Sequence, residues 1–237
     1  MHPQIKEEMA KKSVTPAPKQ DQKGLEEALS KSEQFFENNK KTIFGALIAI
    51  IVIIAGGMLY NAKVAQPRQM KASEAIFPGE SYFINGDYQT ALNGDAYGFE
   101  GFEALANKFK GTKANKLANL YAGLCYAQLD SMDIAEKYLS KFNGNDQMVS
   151  PAALGALANC YATNGQVSKA ATTFEKAAKK ADNKALSPYY YLQAGIIYES
   201  LDNTSKALKL YKMIKVNYPD SYEAREIDKY IARLTSK

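Results

Sequence analysis

Residues 157–177 read LANCYATNGQVSKAATTFEKA, and the same pattern recurs on either side. Residues 122–142 read AGLCYAQLDSMDIAEKYLSKF, and residues 194–214 read AGIIYESLDNTSKALKLYKMI. Each stretch opens on Ala or Leu, then Gly or Ala, with a tyrosine three residues later: Tyr126, Tyr161 and Tyr198. Nine residues after each tyrosine stands an alanine (Ala135, Ala170, Ala207), and four further on a large side chain (Leu139, Phe174, Tyr211). The tyrosines lie 35 and 37 residues apart. A period of that size means stacked supersecondary units, because one unit alone cannot bury its apolar faces. Two helices that cross at small residues, with an aromatic filling the gap, account for the residue types. Gly123 and Gly195 let the first helix approach, and Ala135, Ala170 and Ala207 do the same from the second.

This pattern resembles the tetratricopeptide repeat, a helix–turn–helix unit of about 34 residues. Pro219 stands where that motif has its terminating proline. An earlier, degraded copy begins at Gly79 with GESYFINGDYQTAL, which keeps Tyr82, the Gly86-Asp87 turn, Tyr88 and Ala91. Asn93-Gly94-Asp95 then breaks its second helix, and the apolar pattern resumes at Phe99, Phe102, Leu105 and Phe109. The units are expected near 68–110 (with an inserted loop), 116–149, 151–184 and 188–219. After Pro219, Asp220 is expected to cap a last helix over 220–235. Tyr222, Ile227, Tyr230 and Ile231 would form its inner side, and a polar outer face would keep the end of the array soluble.

Upstream lies a different signal. Residues 42–62, TIFGALIAIIVIIAGGMLYNA, carry no charge and are bracketed by Lys40-Lys41 and Lys63. About 20 residues of helix span the hydrocarbon core of a bilayer, with every backbone group satisfied internally. A buried core helix would show a polar edge, and Ile43 through Leu59 shows none. A cleaved signal would be shorter and nearer the start, so the segment reads as an uncleaved anchor. The expected domains are a disordered cytosolic tail (1–23), an amphipathic juxtamembrane helix (24–41), a transmembrane helix (42–62) and a repeat domain (63–237). In the tail helix Leu25, Leu29 and Phe36 share one face. The fold class is therefore all-α: one transmembrane helix, then a right-handed α-solenoid of tetratricopeptide-like hairpins with a C-terminal capping helix. Lys23, Lys31, Lys40 and Lys41 precede the span and Lys63, Arg68 and Lys71 follow it. That bias leans toward a cytoplasmic N-terminus.

Composition narrows the function. The chain carries a formal charge of +5, and neither part shows a dense basic stripe, so nucleic acid is not expected as a partner. Lys108, Lys110, Lys113 and Lys116 read as a solvated helix end. The two cysteines, Cys125 and Cys160, fall at equivalent places in consecutive units, one residue before the aromatic. Equivalent helices of neighbouring units lie about 8–10 Å apart, beyond disulfide reach, so free thiols are expected. The sole histidine is His2. With no histidine in the folded part, no phosphate-cradling Gly loop and no isolated carboxylate pair, no enzyme, metal or cofactor is expected. Asp130, Asp133 and Glu136 read as a solvated turn and helix start.

Solenoids offer partners an extended concave surface. In the repeat family this surface is made by fixed first-helix positions. Here they fall on Leu117, Leu120, Leu124, Ala127 and Gln128, then on Ala152, Gly155, Asn159, Ala162 and Thr163, then on Tyr189, Leu192, Ile196, Glu199 and Ser200. The expected groove is apolar with a few amide and acid groups. Only Asn159 fits the pattern of repeats that grip a C-terminal carboxylate. The leucines and Ile196 could equally be buried by the superhelix.

A short tail, one span and an exported array of these repeats together resemble the ancillary subunit of the bacterial SecYEG translocon (YfgM-like). The likeness includes LEEALSKSEQFFENNKK before the span and the YPDSYEAREIDKYIARL ending. It implies a single-pass protein of the bacterial inner membrane, N-terminus cytoplasmic and repeat domain periplasmic, attached to SecYEG and to a membrane-anchored periplasmic foldase. Three readings stand on the sequence: a translocon-bound scaffold, a scaffold of another envelope assembly, and a holdase for exported chains.

Overall fold

The computed structural model describes residues 19–236, with side chains from Ser30 onward except Ser32. Residues 1–18 of the expected disordered tail, and the Leu25 and Leu29 side chains, lie outside the described residues. The chain divides into two compact units at Ala62 and Lys63.

The first unit is one helix, α1 (Lys19–Tyr60). Helix therefore begins before Gly24, where the sequence suggested a boundary. A single Gly costs only about 1 kcal/mol inside a helix, and Lys19 to Lys23 carry no other breaker. Phe44, Leu47, Ile48 and the run Ile50–Ile54 are all at least half exposed. A helix that is apolar all round calls for an apolar environment. Among the described residues one helical stretch, Glu33–Ile84, is long and apolar enough to cross a membrane, with a mean hydropathy of 2.6 over an 18-residue window within it.

All regular secondary structure in the described residues of the second unit is helical. Its first helix is α2 (Gln66–Ile84), followed by the short α3 (Tyr88–Asn93) and α4 (Phe102–Lys108). Three full hairpins follow: α5 (Lys113–Gln128) with α6 (Met132–Leu139), α7 (Val149–Thr163) with α8 (Val167–Ala181), and α9 (Ser187–Ser200) with α10 (Thr204–Asn217). The array ends on α11 (Ile227–Thr235).

One turn is built four times. The residue four beyond each repeat tyrosine takes a left-handed backbone: Gly86 (φ 79°), Asp130 (φ 57°), Gly165 (φ 75°) and Asp202 (φ 56°). The next N–H then donates back to the tyrosine carbonyl, from Asp87, Ser131, Gln166 and Asn203 at 2.8–2.9 Å. Glycine adopts this conformation freely, and aspartate is among the few other residues that tolerate it. The degraded first copy thus keeps the repeat's turn although its second helix is split.

Packing follows the small residues. A methyl added to Gly123 would lie 2.6 Å from Leu139 Cγ, and one added to Gly195 would land on the Tyr211 ring. Ala135, Ala170 and Ala207 are fully buried. The core runs from unit to unit, with α2 to α5 gathered on Phe99, Phe102 and Leu105, and α8 to α11 on Phe174, Tyr211, Ile214 and Ile227. Cys125 and Cys160 are buried free thiols, and burial pushes Cys125 up to about 12.

The start of α7 is held by a residue outside it. One Asp146 oxygen accepts the backbone N–H groups of Met148, Val149 and Ser150, and the other accepts Ser150 Oγ at 2.7 Å. The Ser150 hydroxyl, with those N–H groups, holds the carboxyl well below the usual carboxylate range. A lowered folded-state pKa gives stability that is present above the unfolded value, near 3.9, and lost as pH falls through the folded value. Asp146→Ala should cost about 1 kcal/mol at pH 7. In thermal melts taken between pH 7 and pH 2, that difference should shrink only below about pH 4; a gap independent of pH would refute the charged cap.

The C-terminal end differs from expectation. Asp220 caps nothing: residues 219–222 form turns, Glu223–Arg225 a short 3-10 segment, and α11 begins only at Ile227. Tyr222 is 78% exposed, so it is not on the inner side. That side consists of buried Ile227 and Leu234 with half-buried Tyr230 and Ile231.

Candidate partner-binding groove

The first helices of the three full hairpins, α5, α7 and α9, carry the candidate positions. Gln128, Asn159, Tyr189 and Ile196 are exposed, as are Leu117, Ala152, Thr163 and Ser200. Leu124, Ala127, Ala162 and Leu192 are half-buried and pack against the core. Two positions do not reach a surface. Leu120 is 6% exposed and belongs to the core with Ala135, Leu139 and Leu157. Gly155 is buried where a methyl would lie 2.7 Å from Tyr190 Cε1 of the next unit. Both lie on the part of the first helix that meets a neighbouring unit.

Glu199 is the one acid expected in the groove, and it is already engaged. Both its oxygens accept from Arg233 of α11 at 2.7 Å, and Tyr211 Oη donates to it at 3.1 Å. Without it, the exposed positions, together with half-buried Leu124, form an uncharged stripe in equivalent register. Leu117, Leu124 and Gln128 lie on α5, Ala152, Asn159 and Thr163 on α7, and Tyr189, Ile196 and Ser200 on α9. Spacings of seven and eleven residues keep each set on one helix face. Such a stripe suits a protein segment with apolar side chains and amide-bonding backbone.

Carboxylates to which the sequence assigns no partner tie neighbouring elements together. Glu103 on α4 accepts the hydroxyls of both Tyr126 and Tyr138 at 2.8 Å. Glu175 on α8 accepts Tyr198 Oη at 2.6 Å. Glu136 is no solvated helix start, since it accepts Asn164 and Gln166 from the next turn at 3.0 and 2.8 Å. Burial, then the Glu103 carboxylate, pushes Tyr126 up to about 12, and the same two causes raise Tyr138. These tyrosines act as neutral donors inside the array. Only tertiary placement brings them to their acids, and no spacing in the sequence announces the pairing.

Comparison with known proteins bears on this geometry. The family model of the tetratricopeptide repeat matches residues 189–221, which hold nearly all of α9 and all of α10. Residues 189–221 carry this repeat. A solved structure of nearly identical TPR-like repeats, from a Podospora anserina protein described as a kinesin light chain, superposes with a TM-score of 0.50. It covers 70% of this chain and 85% of that one at 14% identity, a likeness of fold. No curated protein matched the sequence. A tetratricopeptide-like solenoid is generally a protein-interaction architecture, and the uncharged stripe lies on its first helices.

Proposed function

We propose that this protein is a non-enzymatic, membrane-anchored scaffold that docks partner proteins on the first-helix stripe, as an ancillary subunit of the SecYEG export translocon. The carrying observation is the joining of two features in one chain. One is a helix apolar on every side and long enough to span a bilayer, and the other is a repeat solenoid whose exposed stripe bears no charge. The likeness of the tail and the C-terminal ending to the translocon subunit supports the partner, and with it the cytoplasmic N-terminus and periplasmic repeats. A membrane-anchored foldase is the second partner on this reading.

Anchoring changes the affinity the groove needs. Once the span holds the protein beside a membrane partner, groove contact becomes intramolecular at an effective concentration of about 1 mM, and avidity exceeds either contact by about a hundredfold or more. In mild detergent, SecYEG should therefore be retained strongly by the full-length protein and weakly by residues 1–62 or 63–237 alone. Ile196→Asp, at an exposed position, should reduce retention while leaving the helical signal intact. Absence of SecYEG from all these pull-downs, with another envelope complex in its place, would replace the translocon by that assembly. Suppression of client aggregation by residues 63–237, without SecYEG, would point to the holdase.

A further inference from the structure

The sequence shows no dense basic stripe because its lysines are spread along the chain; the fold assembles one. Helix α8 carries Lys169, Lys176, Lys179 and Lys180 against Glu175, and α10 carries Lys206, Lys209, Lys212 and Lys215 against no acid. These two helices are together more positive than the whole chain, at +5. Some of the lysines are engaged: Lys169 pairs with Glu136, Lys180 donates to Asn145, and Lys215 pairs with Asp228. Lys176, Lys206 and Lys209 have no carboxylate partner among the described residues, and with Lys179 they border a cleft of about 440 Å³. Its inner wall holds Tyr191, Tyr198, Leu210 and Met213. Glu175, the one acid on the lining, already accepts Tyr198 Oη and lies 3.9 Å from Lys179.

We propose that this cleft between α8 and α10 is a second docking site, which takes a protein segment whose acidic residues alternate with apolar ones. Like-charged ammonium groups around a concavity repel one another, and an acidic ligand relieves that repulsion while its apolar side chains cover Leu210 and Met213. Nucleic acid fits less well: the border has lysines but no arginine fork for phosphate, and the tyrosines are buried rather than open for base stacking. A bilayer surface does not enter a concave cleft to reach an apolar wall. The site is separate from the groove of the proposed function. On α9, Tyr191 and Tyr198 stand two residues on from Tyr189 and Ile196, which is about 200° around the helix. One scaffold can thus hold two partners at once.

The test uses the full chain in zwitterionic nanodiscs. The probe is a fluorescein-labelled peptide of about a dozen residues alternating Glu with Leu, read by anisotropy. The peptide should bind, its Gln-for-Glu counterpart should not, and higher salt should weaken binding by screening. The double variant Lys176→Gln with Lys209→Gln should raise Kd about tenfold, and Lys176→Arg with Lys209→Arg should restore it. Both pairs are exposed, so the helical signal should persist; if the Gln pair loses it, the Arg pair and the salt dependence decide. Unchanged affinity in the Gln pair would overturn the proposal. So would tighter, Lys176-dependent binding of a single-stranded oligonucleotide or of anionic vesicles.

Discussion

Tyr211→Ala should destabilise the repeat domain by about 3–5 kcal/mol, the range for deleting a fully buried aromatic ring. Tyr211 has no exposed surface and is the largest fully buried side chain among the described residues. Its ring fills the space that Gly195 leaves open on α9 and lies 5.2 Å from the Tyr230 ring of α11. Its hydroxyl donates to Glu199, which also receives Arg233. One side chain thus locks both helices of the last hairpin to the cap. Tyr211→Phe should cost far less, about 1 kcal/mol, because Glu199 keeps its arginine. Gly195→Ala tests the same crossing from the other side and should cost about 1–3 kcal/mol by overpacking. Urea unfolding of residues 63–237 measures all three. A Tyr211→Ala loss no larger than that of Tyr211→Phe would mean that the ring does not hold the crossing.

How far the sequence reveals the fold depends on which residues one asks about. Gly123, Ala135, Ala170, Gly195 and Ala207 are legible because contact between helices demands small residues, and the demand repeats with the unit. The turn is legible at Gly86 and at Asp130, but the left-handed backbone at Asp130 and Asp202 does not show, because aspartate there adopts a conformation that glycine would announce. At the C-terminus the apolar spacing of Ile227, Tyr230 and Ile231 gives the inward face, but the start of α11 does not show. Pro219 and the turns after it delay the helix to Ile227 and leave Tyr222 in solvent.

The groove is less legible than the fold for a physical reason. A first helix packs against its own partner and against the neighbouring unit, so more than half of its circumference is apolar. Periodicity alone then does not separate Leu120, which is buried, from Ile196, which is not. Charges are harder still. Glu199 looks free in sequence and is held by Arg233, 34 residues away. Lys176 and Lys209 look scattered and meet across one cleft.

Phe102→Ala should also cost about 3–5 kcal/mol, and its effect should be confined to the N-terminal end of the array. Phe102 is fully buried, stacks on Tyr121 of α5 with ring centroids 4.9 Å apart, and meets Phe99 edge-on at 5.7 Å. It sits where the first repeat is weakest. Helices α3 and α4 have six and seven residues, well below the ~12–15 at which an isolated helix becomes even marginally stable. Packing must therefore supply what their length does not. The loop between them is fastened by Asp95, which accepts the backbone N–H groups of Tyr97 and Phe99 at 2.7 and 3.0 Å and Tyr82 Oη at 2.7 Å. That loop keeps Phe99 beside Phe102, so the ring joins α2, the loop and α5 in one cluster. In a solenoid each unit's stability depends on its own packing and that of its nearest neighbours. Amide hydrogen exchange in Phe102→Ala should therefore accelerate across residues 66–108 and at the start of α5, while α8 to α10 stay protected. Equal acceleration along the whole array would show that the domain unfolds as one block, and the interrupted first copy would then be an integral part of the solenoid rather than a loosely coupled end.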